Sequence, residues 1–222
     1  MNDDLTALAN FSGLARLFPL PGLVLFPHGV QPLHIFEERY RQMMADALAD
    51  DRMIALVMLK PGWEPIYDEQ PPIEPVACLG EIIVDQQLPD GRYNLLLKGV
   101  SRIRIGEEVP TDRLYRTARV DLIADGFVPP IHAAQKIRAE LRSLVMPRFI
   151  GNETSHEQVE ALFDGEMSLG MLLDVLGFAL PMPLVHKQAM LEQTDVLARA
   201  RMLLEAIAPK SERRFPPNFS SN

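Results

Sequence analysis

The sequence predicts an α+β fold, in which a β-rich lobe is followed by a helical lobe. The composition of the 222 residues changes near residue 126. Before that point, prolines and glycines interrupt short apolar runs, which is typical of strands joined by turns. After it, apolar residues recur at spacings of three and four, which predicts amphipathic helices. Strands followed by helices favour α+β organisation over alternating βαβ units.

The domain boundaries follow from the same change in composition. We assign residues 14–126 to the β lobe and residues 127–208 to the helical lobe. Residues 1–13 carry no continuous apolar run, so we expect a mobile N-terminal arm. Residues 209–222 contain prolines and serines with few large apolar side chains, and we expect a disordered tail.

Seven apolar runs predict the strands of the β lobe. The pair at 80–87 and 92–97 flanks Asp90-Gly91, a strong hairpin signal because glycine tolerates a positive φ. The run at 53–59 is almost wholly apolar, which predicts a strand buried on both faces. The predicted strands cover residues 15–18, 23–26, 53–59, 80–87, 92–97, 100–105 and 115–123.

One helix is predicted within the β lobe, over residues 34–49. Its apolar residues fall on one face at helical spacing, and Phe36 and Tyr40 lie one turn apart on that face. We therefore expect both rings to pack on the sheet.

Four helices are predicted in the second lobe. Ser168 has the side chain preferred for a helix N-cap, and Pro181 ends the helix that begins there. The four predicted helices cover residues 131–149, 155–163, 168–180 and 184–208.

A long proline-rich loop, residues 60–75, contains the candidate binding residues. Five of its residues are proline, so strand pairing is unfavourable here, while the loop loses little entropy on ordering. Trp63, Ile66 and Tyr67 are apolar enough to anchor a partner, since rigid aromatic rings bury much area. The alternative is that the rings of Trp63 and Tyr67 close the end of the β lobe as a lid on its core.

The charge balance excludes several classes of protein. Lys and Arg total 22 against 30 Asp and Glu, a net charge of −8, which argues against nucleic-acid binding and against an anionic membrane surface. No apolar run reaches the roughly 18 residues of a spanning helix, and no signal peptide is apparent. We therefore expect a cytoplasmic protein. The single cysteine, Cys78, is predicted to be a buried structural thiol.

No catalytic, cofactor or metal motif is present in the sequence. It contains no P-loop, no dinucleotide fingerprint, no paired-cysteine or HExxH zinc motif and no nucleophile elbow. We therefore predict no catalytic residues, no cofactor and no metal. A local group of arginines is interpreted as a solvated sheet face or, alternatively, as a contact surface for a peptide or nucleic acid. These arginines are Arg102, Arg104, Arg113, Arg116 and Arg119.

Several ordered segments together resemble a known family. The matching segments are FPLPGLVLFP (18–27), PLHIFEERY (32–40), GEI (80–82), LPDGRY (88–93), LKGVSR (97–102) and KQAMLE (187–192). Their order and spacing resemble the N-terminal domain of Lon proteases over residues 14–208.

This resemblance implies both a fold and a binding role. It implies a PUA-like β pseudo-barrel around one packed helix, beside a four-helix lobe. In full-length Lon proteases this domain captures protein substrates, and the ATPase and Ser–Lys peptidase lie further along the chain. Neither motif is present here, so we expect a standalone, non-catalytic protein. Its expected partners are unfolded or client segments, held by an apolar groove and an accessible sheet edge, and a protease or chaperone in protein quality control.

Two other functions stay open at this point. PUA-like barrels also occur in RNA-binding proteins, although the negative charge weighs against that role. An enzyme with a small-molecule pocket between the lobes is the other alternative, and a buried carboxylate with a raised pKa in a deep pocket would favour it.

Overall fold

The computed structural model of the protein describes residues 8–67, 69–149 and 153–208. Six strands of these residues form one mixed sheet: β1 Leu14–Leu20, β2 Val30–Ile35, β3 Met53–Met58, β4 Val76–Gln87, β5 Tyr93–Val109 and β6 Thr117–Ile123. The α-helices are α1 Glu38–Leu48, α2 Ile131–Val145, α3 Glu153–Asp164, α4 Leu169–Ala179, α5 Leu184–Glu192 and α6 Val196–Ile207. Two short 3₁₀ helices cover Glu64–Ile66 and Met146–Phe149.

The sheet closes on itself. Its strand order is β2-β5-β4-β3-β1-β6, and β5 pairs with β6 as well. The 17-residue strand β5 pairs along one edge with β2 in its first part and with β6 in its second part. Along its other edge it pairs with β4. Five strands therefore form a ring, and β2 extends it on the outside. Register shifts in β4 and β5 mark bulges, which let long strands bend.

Two apolar clusters lie on opposite faces of the ring strands. The smaller one is built from one face of all five ring strands and includes Leu17, Val57 and Ile103. The larger cluster uses the other face, with Phe18 and Leu56, and joins it to α1 and the helical lobe. All six residues of β3 are buried, which confirms the prediction of a strand covered on both faces.

Helix α1 begins later than the sequence predicted. Residues up to Ile35 belong to β2, and Glu37 is the N-cap residue. Neighbouring side chains of an extended chain point to opposite sides, so Ile35 is 1% exposed and Phe36 is 61% exposed. The predicted burial of Phe36 is therefore wrong, because a strand period rather than a helix period applies there. Tyr40, at 4% exposure, does pack in the core as predicted.

The corrected position of Phe36 changes the expected effect of its mutation. We expect Phe36→Ala to change the free energy of unfolding by no more than about 0.5 kcal/mol, because the ring is largely in solvent. Met43 on α1 is fully buried, so Met43→Ala should cost about 2–5 kcal/mol. Urea unfolding of the two variants checks this, and similar losses for both would contradict the placement of Phe36.

The predicted strand at 23–26 is also wrong, whereas the hairpin signal is confirmed. Residues 23–26 form a buried loop without strand pairing, and the second strand lies at Val30–Ile35 instead. Gly91 has φ +82 in the turn between β4 and β5, as the Asp90-Gly91 pair predicted. The two predicted strands at 92–97 and 100–105 are one continuous strand, β5.

The helical lobe differs from the prediction in its last helix. Ser168 caps α4 as predicted, since its Oγ accepts a hydrogen bond from the Met171 amide at 3.2 Å. The predicted helix over 184–208 is divided into α5 and α6, because residues 193–195 leave the helical conformation. Asp195 then starts α6 by accepting a hydrogen bond from the Ala198 amide at 2.9 Å. Residues 127–208 thus contain five α-helices among those described, where four were expected.

Buried ion pairs join the sheet to the helical lobe. Arg102 on β5 makes two hydrogen bonds to the carboxylate of Asp174 on α4, and its Nε donates to the Leu191 carbonyl at 2.9 Å. Arg199 on α6 is fully buried and binds Asp125 through both terminal nitrogens, at 2.8 and 3.0 Å. The prediction of a solvated face is therefore wrong for Arg102, which is 4% exposed. It holds for Arg104 and Arg119, which are exposed on β5 and β6, whereas Arg113 and Arg116 lie in the connection between these strands.

The ends of the chain fall only partly within the described residues. Of the expected arm at 1–13, residues 1–7 lie outside them, and the side chains of Leu8 and Phe11 pack against the smaller apolar cluster. The expected tail at 209–222 lies outside the described residues. Cys78 is fully buried, as predicted, and burial raises the pKa of its thiol.

Candidate functional site

The loop that joins β3 to β4 is held at both ends. The Lys60 amide donates to the Pro72 carbonyl at 2.9 Å, and Leu59 forms an isolated bridge with Ile73. Between these anchors, Glu64–Ile66 forms a 3₁₀ turn with no buried residue. The loop therefore has a fixed base and presents its tip at the surface.

Two of the three predicted binding residues contact each other. The rings of Trp63 and Tyr67 pack edge to face, with centroids 5.4 Å apart and an angle of 68° between their planes. Both side chains are half-buried, and neither belongs to the two apolar clusters of the core. Ile66 lies in the turn between them, is also half-buried, and lines neither of the two cavities described below.

Tyr67 is fixed by contacts to the start of α1. Its hydroxyl donates to Glu37 Oε1 at 2.7 Å. The Arg39 guanidinium lies 4.7 Å from the ring centroids of both Tyr40 and Tyr67, and its Nη1 donates to the Tyr67 carbonyl. Burial, and then the hydrogen bond to Glu37, raise the pKa of Tyr67. The loop tip is thus held against the start of α1 by the hydrogen bond to Glu37 and by the Arg39 guanidinium, which contacts both tyrosine rings.

An apolar groove of about 520 Å³ runs beside Trp63, between the loop and helix α5. Its volume lies within the usual range of ligand sites. Val185 and Leu184 of α5 form the opposite wall and are 71% and 37% exposed, which is unusual for large apolar residues. We call this feature the Trp63 groove; its lining includes Pro21, Met58, Pro61, Trp63, Leu184 and Val185.

A second cavity of about 520 Å³ lies on the other side of Tyr67, and its lining is polar. It is formed by the start of α1, the end of the loop, and the β5–β6 connection. We call it the arginine cavity; its lining includes Arg39, Arg113, Arg116, Tyr40, Tyr67 and Tyr115. Because Trp63 and Tyr67 touch, the groove and the cavity share a wall.

The groups around the arginine cavity are positioned by carboxylates. Tyr115 donates to Asp46 at 2.7 Å, and burial together with this bond raises the pKa of Tyr115 to about 12. Arg116 pairs with Glu108 through two nitrogens, and a third nitrogen donates to the Pro71 carbonyl at 2.8 Å. These bonds fix the Tyr115 ring and the Arg116 guanidinium in the wall of the arginine cavity.

The free edge of the sheet is poorly suited to pairing with a client strand. The Gly99 amide donates to the Gly29 carbonyl at 2.8 Å, so alternation along β2 turns the backbone groups of Pro32 outward. Proline has no amide proton, and its carbonyl already accepts a hydrogen bond from Gln31 Nε2 at 2.9 Å. The expectation of an accessible sheet edge is therefore corrected: Pro32 interrupts the outward ladder at its centre.

Sequence reasoning found one wall of the groove and missed the other. Trp63 and Tyr67 were identified from the length and composition of the loop. Leu184 and Val185 were missed, because residues 184–208 were predicted as one long helix. The structure divides this segment into α5 and α6 at residues 193–195, and α5 by itself lies beside the loop.

Neither a membrane span nor a metal site was found in the part of the chain that the structure describes. No helix there is long and apolar enough to cross a bilayer. No group of three or more His, Cys, Asp or Glu side chains there is arranged to hold a metal ion.

Comparison with known proteins gives consistent matches in sequence. Over 208 residues the chain is 28% identical to Lon protease 2 of Myxococcus xanthus, an alignment that covers 88% of this chain and 24% of that protein. It is 29% identical over 210 residues to a Lon protease of Heliobacterium modesticaldum, again covering 88% and 24%. The chain thus spans about a quarter of the length of these relatives.

Solved structures show the same fold. The N-terminal domain of a Mycobacterium avium complex Lon protease is similar with a TM-score of 0.69 and 14% identity, over 89% of this chain and 99% of that one. The Lon N-terminal domain protein from Xanthomonas campestris gives 0.62 at 20% identity, over 86% and 97%. Residues 15–208 match the family described as the ATP-dependent protease La (LON) substrate-binding domain. Since this match runs from the first strand through the last helix, the chain belongs to the LON substrate-binding domain family.

Proposed function

We propose that the protein is a non-catalytic binding module that captures exposed apolar segments of client proteins in the Trp63 groove. The observation that carries the proposal is the groove itself, an apolar surface cleft between Trp63 and the exposed Leu184 and Val185. Membership of a substrate-binding family supports the same role. We further propose that the captured clients are passed to a protease or chaperone, as an adaptor in cytoplasmic protein quality control.

The physical basis of capture is burial of apolar surface. Unfolded segments expose large apolar side chains, and burying one is worth about 1.5–3 kcal/mol. The Trp63 ring is rigid and held by Tyr67, so it loses little entropy on binding. Since Pro32 interrupts the sheet edge, side-chain burial rather than strand addition is the proposed source of affinity.

The architecture supports the remaining parts of the proposal. The five-stranded ring supports a PUA-like β pseudo-barrel in residues 14–126, with the helical lobe in 127–208 as its partner. The net charge of −8 supports the absence of nucleic-acid binding. The matched family is a substrate-binding domain, which supports a role without catalysis.

Substitutions on the two walls of the groove test the proposal. We expect Trp63→Ala and Val185→Asp each to weaken binding of a permanently unfolded reporter protein by about tenfold or more. The first change removes one apolar wall of the groove, and the second places a charge on the opposite wall. Binding is measured by calorimetry. Melting temperatures should stay close to that of the native protein, since both side chains are partly or largely exposed.

A matched control separates the groove from general surface effects. Val128 is 68% exposed but does not line the groove, so Val128→Asp should leave reporter binding unchanged. Equal binding by the native protein, Trp63→Ala and Val185→Asp would show that the groove does not capture clients.

A further inference from the structure

The arginine cavity contains more hydrogen-bond donors than its own acceptors use. Arg39 donates through Nε to Glu37 and through Nη1 to the Tyr67 carbonyl, and its Nη2 lies 2.8 Å from Glu37 Oε2 without a well-directed hydrogen bond to it. Each guanidinium carries five N–H groups, so several donors are left over. The N–H groups that the protein's own acceptors do not use are free to bind a ligand in the cavity.

Tyr40 adds a neutral donor to the same cavity. Its ring is fixed between the Phe18 ring, whose centroid is 4.6 Å away, and the Arg39 guanidinium. Its hydroxyl donates to no carboxylate or carbonyl of the described residues, whereas Tyr67 and Tyr115 each donate to one. The Tyr40 hydroxyl therefore provides a positioned donor with no internal partner.

The charges of the cavity decide what kind of ligand fits. Glu37, Asp46 and Glu108 offset the positive charges of Arg39, Arg113 and Arg116, and Glu69 is a further carboxylate in the lining. Recognition here must therefore rest on directed hydrogen bonds more than on net charge. A carboxylate accepts several such bonds, and bonds to ionised acceptors are the strong ones. A carboxamide has an N–H₂ group in place of one acceptor oxygen. That group would face the donors of the protein, so the cavity favours a carboxylate over a carboxamide.

We propose that the arginine cavity binds a carboxylate group of the captured client, next to the apolar residue held in the Trp63 groove. The shared wall of Trp63 and Tyr67 places the two features side by side. Clients with an apolar residue and a nearby carboxylate are therefore selected over neutral apolar segments. This inference rests on the proposed function, since it names what the same site recognises.

Three peptides test this by calorimetry. Each has the same apolar sequence of about nine residues without Asp or Glu; one is amidated at its C-terminus, one has a free C-terminal carboxylate, and one is amidated and carries a single Glu. We expect the free-carboxylate or the Glu version to bind about tenfold more tightly than the neutral one, as one hydrogen bond to a charged group accounts for about that factor. The two versions distinguish a chain terminus from a side chain as the source.

Two matched tyrosine variants identify the cavity. Tyr40→Phe keeps the packed ring and removes only the hydroxyl, so it should abolish most of the preference for a carboxylate and leave the neutral peptide unaffected. Tyr93→Phe alters another buried tyrosine that does not line the cavity, and should change nothing. Melting temperatures of both variants are measured in parallel.

The outcomes separate this inference from the capture proposal. Equal affinity of the native protein for all three peptides overturns it, as does a Tyr40→Phe variant that weakens all three alike. If no peptide binds, the capture proposal fails instead. The cavity is then tested with succinate alone, whose binding must be lost in Tyr40→Phe for the carboxylate site to stand.

Discussion

Replacing Asp174 by alanine should be among the most damaging single changes in this protein. Asp174 is 2% exposed, and its carboxylate accepts two hydrogen bonds from Arg102, while Arg199 Nε lies 3.4 Å from the same group. Without Asp174, the positive charge of Arg102 stays buried. Its remaining acidic neighbour, Asp125, lies 3.9 Å away and is a weak partner at that distance. Breaking a buried pair in this way costs about 3–5 kcal/mol. Urea unfolding followed by circular dichroism measures the loss.

An exposed ion pair provides the control for this experiment. Asp164 binds Arg142 at 2.6 Å, a distance typical of a good ion pair, yet both side chains are well exposed. Solvent screens such a pair, so Asp164→Asn should leave the unfolding midpoint nearly unchanged. Equal effects of the Asp174 and Asp164 substitutions would mean that burial does not determine the contribution of these pairs.

Gly99→Ala should produce a loss of similar size for a steric reason. A Cβ at Gly99 would lie 2.1 Å from the Phe26 carbonyl oxygen and 3.0 Å from Cys78 Sγ. The backbone cannot easily move away, because Gly99 exchanges hydrogen bonds with His28 and Gly29, each of 2.8 Å. Overpacking typically costs about 1–3 kcal/mol and occasionally more, and so close an approach to a backbone oxygen places this change at the upper end. We expect a marked fall in soluble yield and in melting temperature.

Gly126→Ala is the matched glycine control. The nearest atom to a Cβ there is Thr194 Oγ1 at 3.5 Å, an ordinary van der Waals distance. Its melting temperature should stay close to that of the native protein. If Gly99→Ala also kept the melting temperature of the native protein, the loop at Phe26 would not approach β5 as closely as described.

Features that depend on neighbouring residues were predictable from the sequence. The turn at Asp90-Gly91 follows from the backbone freedom of one glycine, and the cap at Ser168 from one hydroxyl beside a free amide. The error at Phe36 arose where two periodicities compete over a few residues. There, pairing of β2 with β5 extends the chain up to Ile35, and the helix pattern applies only after Glu37.

Features that need distant segments could not be predicted in the same way. The Trp63 groove requires Val185 to lie opposite a loop more than a hundred residues earlier, and no local pattern announces that pairing. Similarly, Arg102 alternates with apolar neighbours and looked exposed, because its partner Asp174 belongs to a helix of the other lobe. An acidic residue within an otherwise apolar helix was the available signal for a buried pair.

The closing of the ring has a consequence for the order of events during synthesis. Strand β1 pairs with β6 through Leu14 and Arg119, about 100 residues apart in the chain. The ribosome adds only about 5–20 residues per second, so β1 must wait several seconds for this partner. During that time the hairpin of β4 and β5, joined by a short turn, can form alone, whereas the ring cannot. The edge of β1 that faces β6 therefore stays unpaired after β3 has been made, and a nascent chain would need protection there.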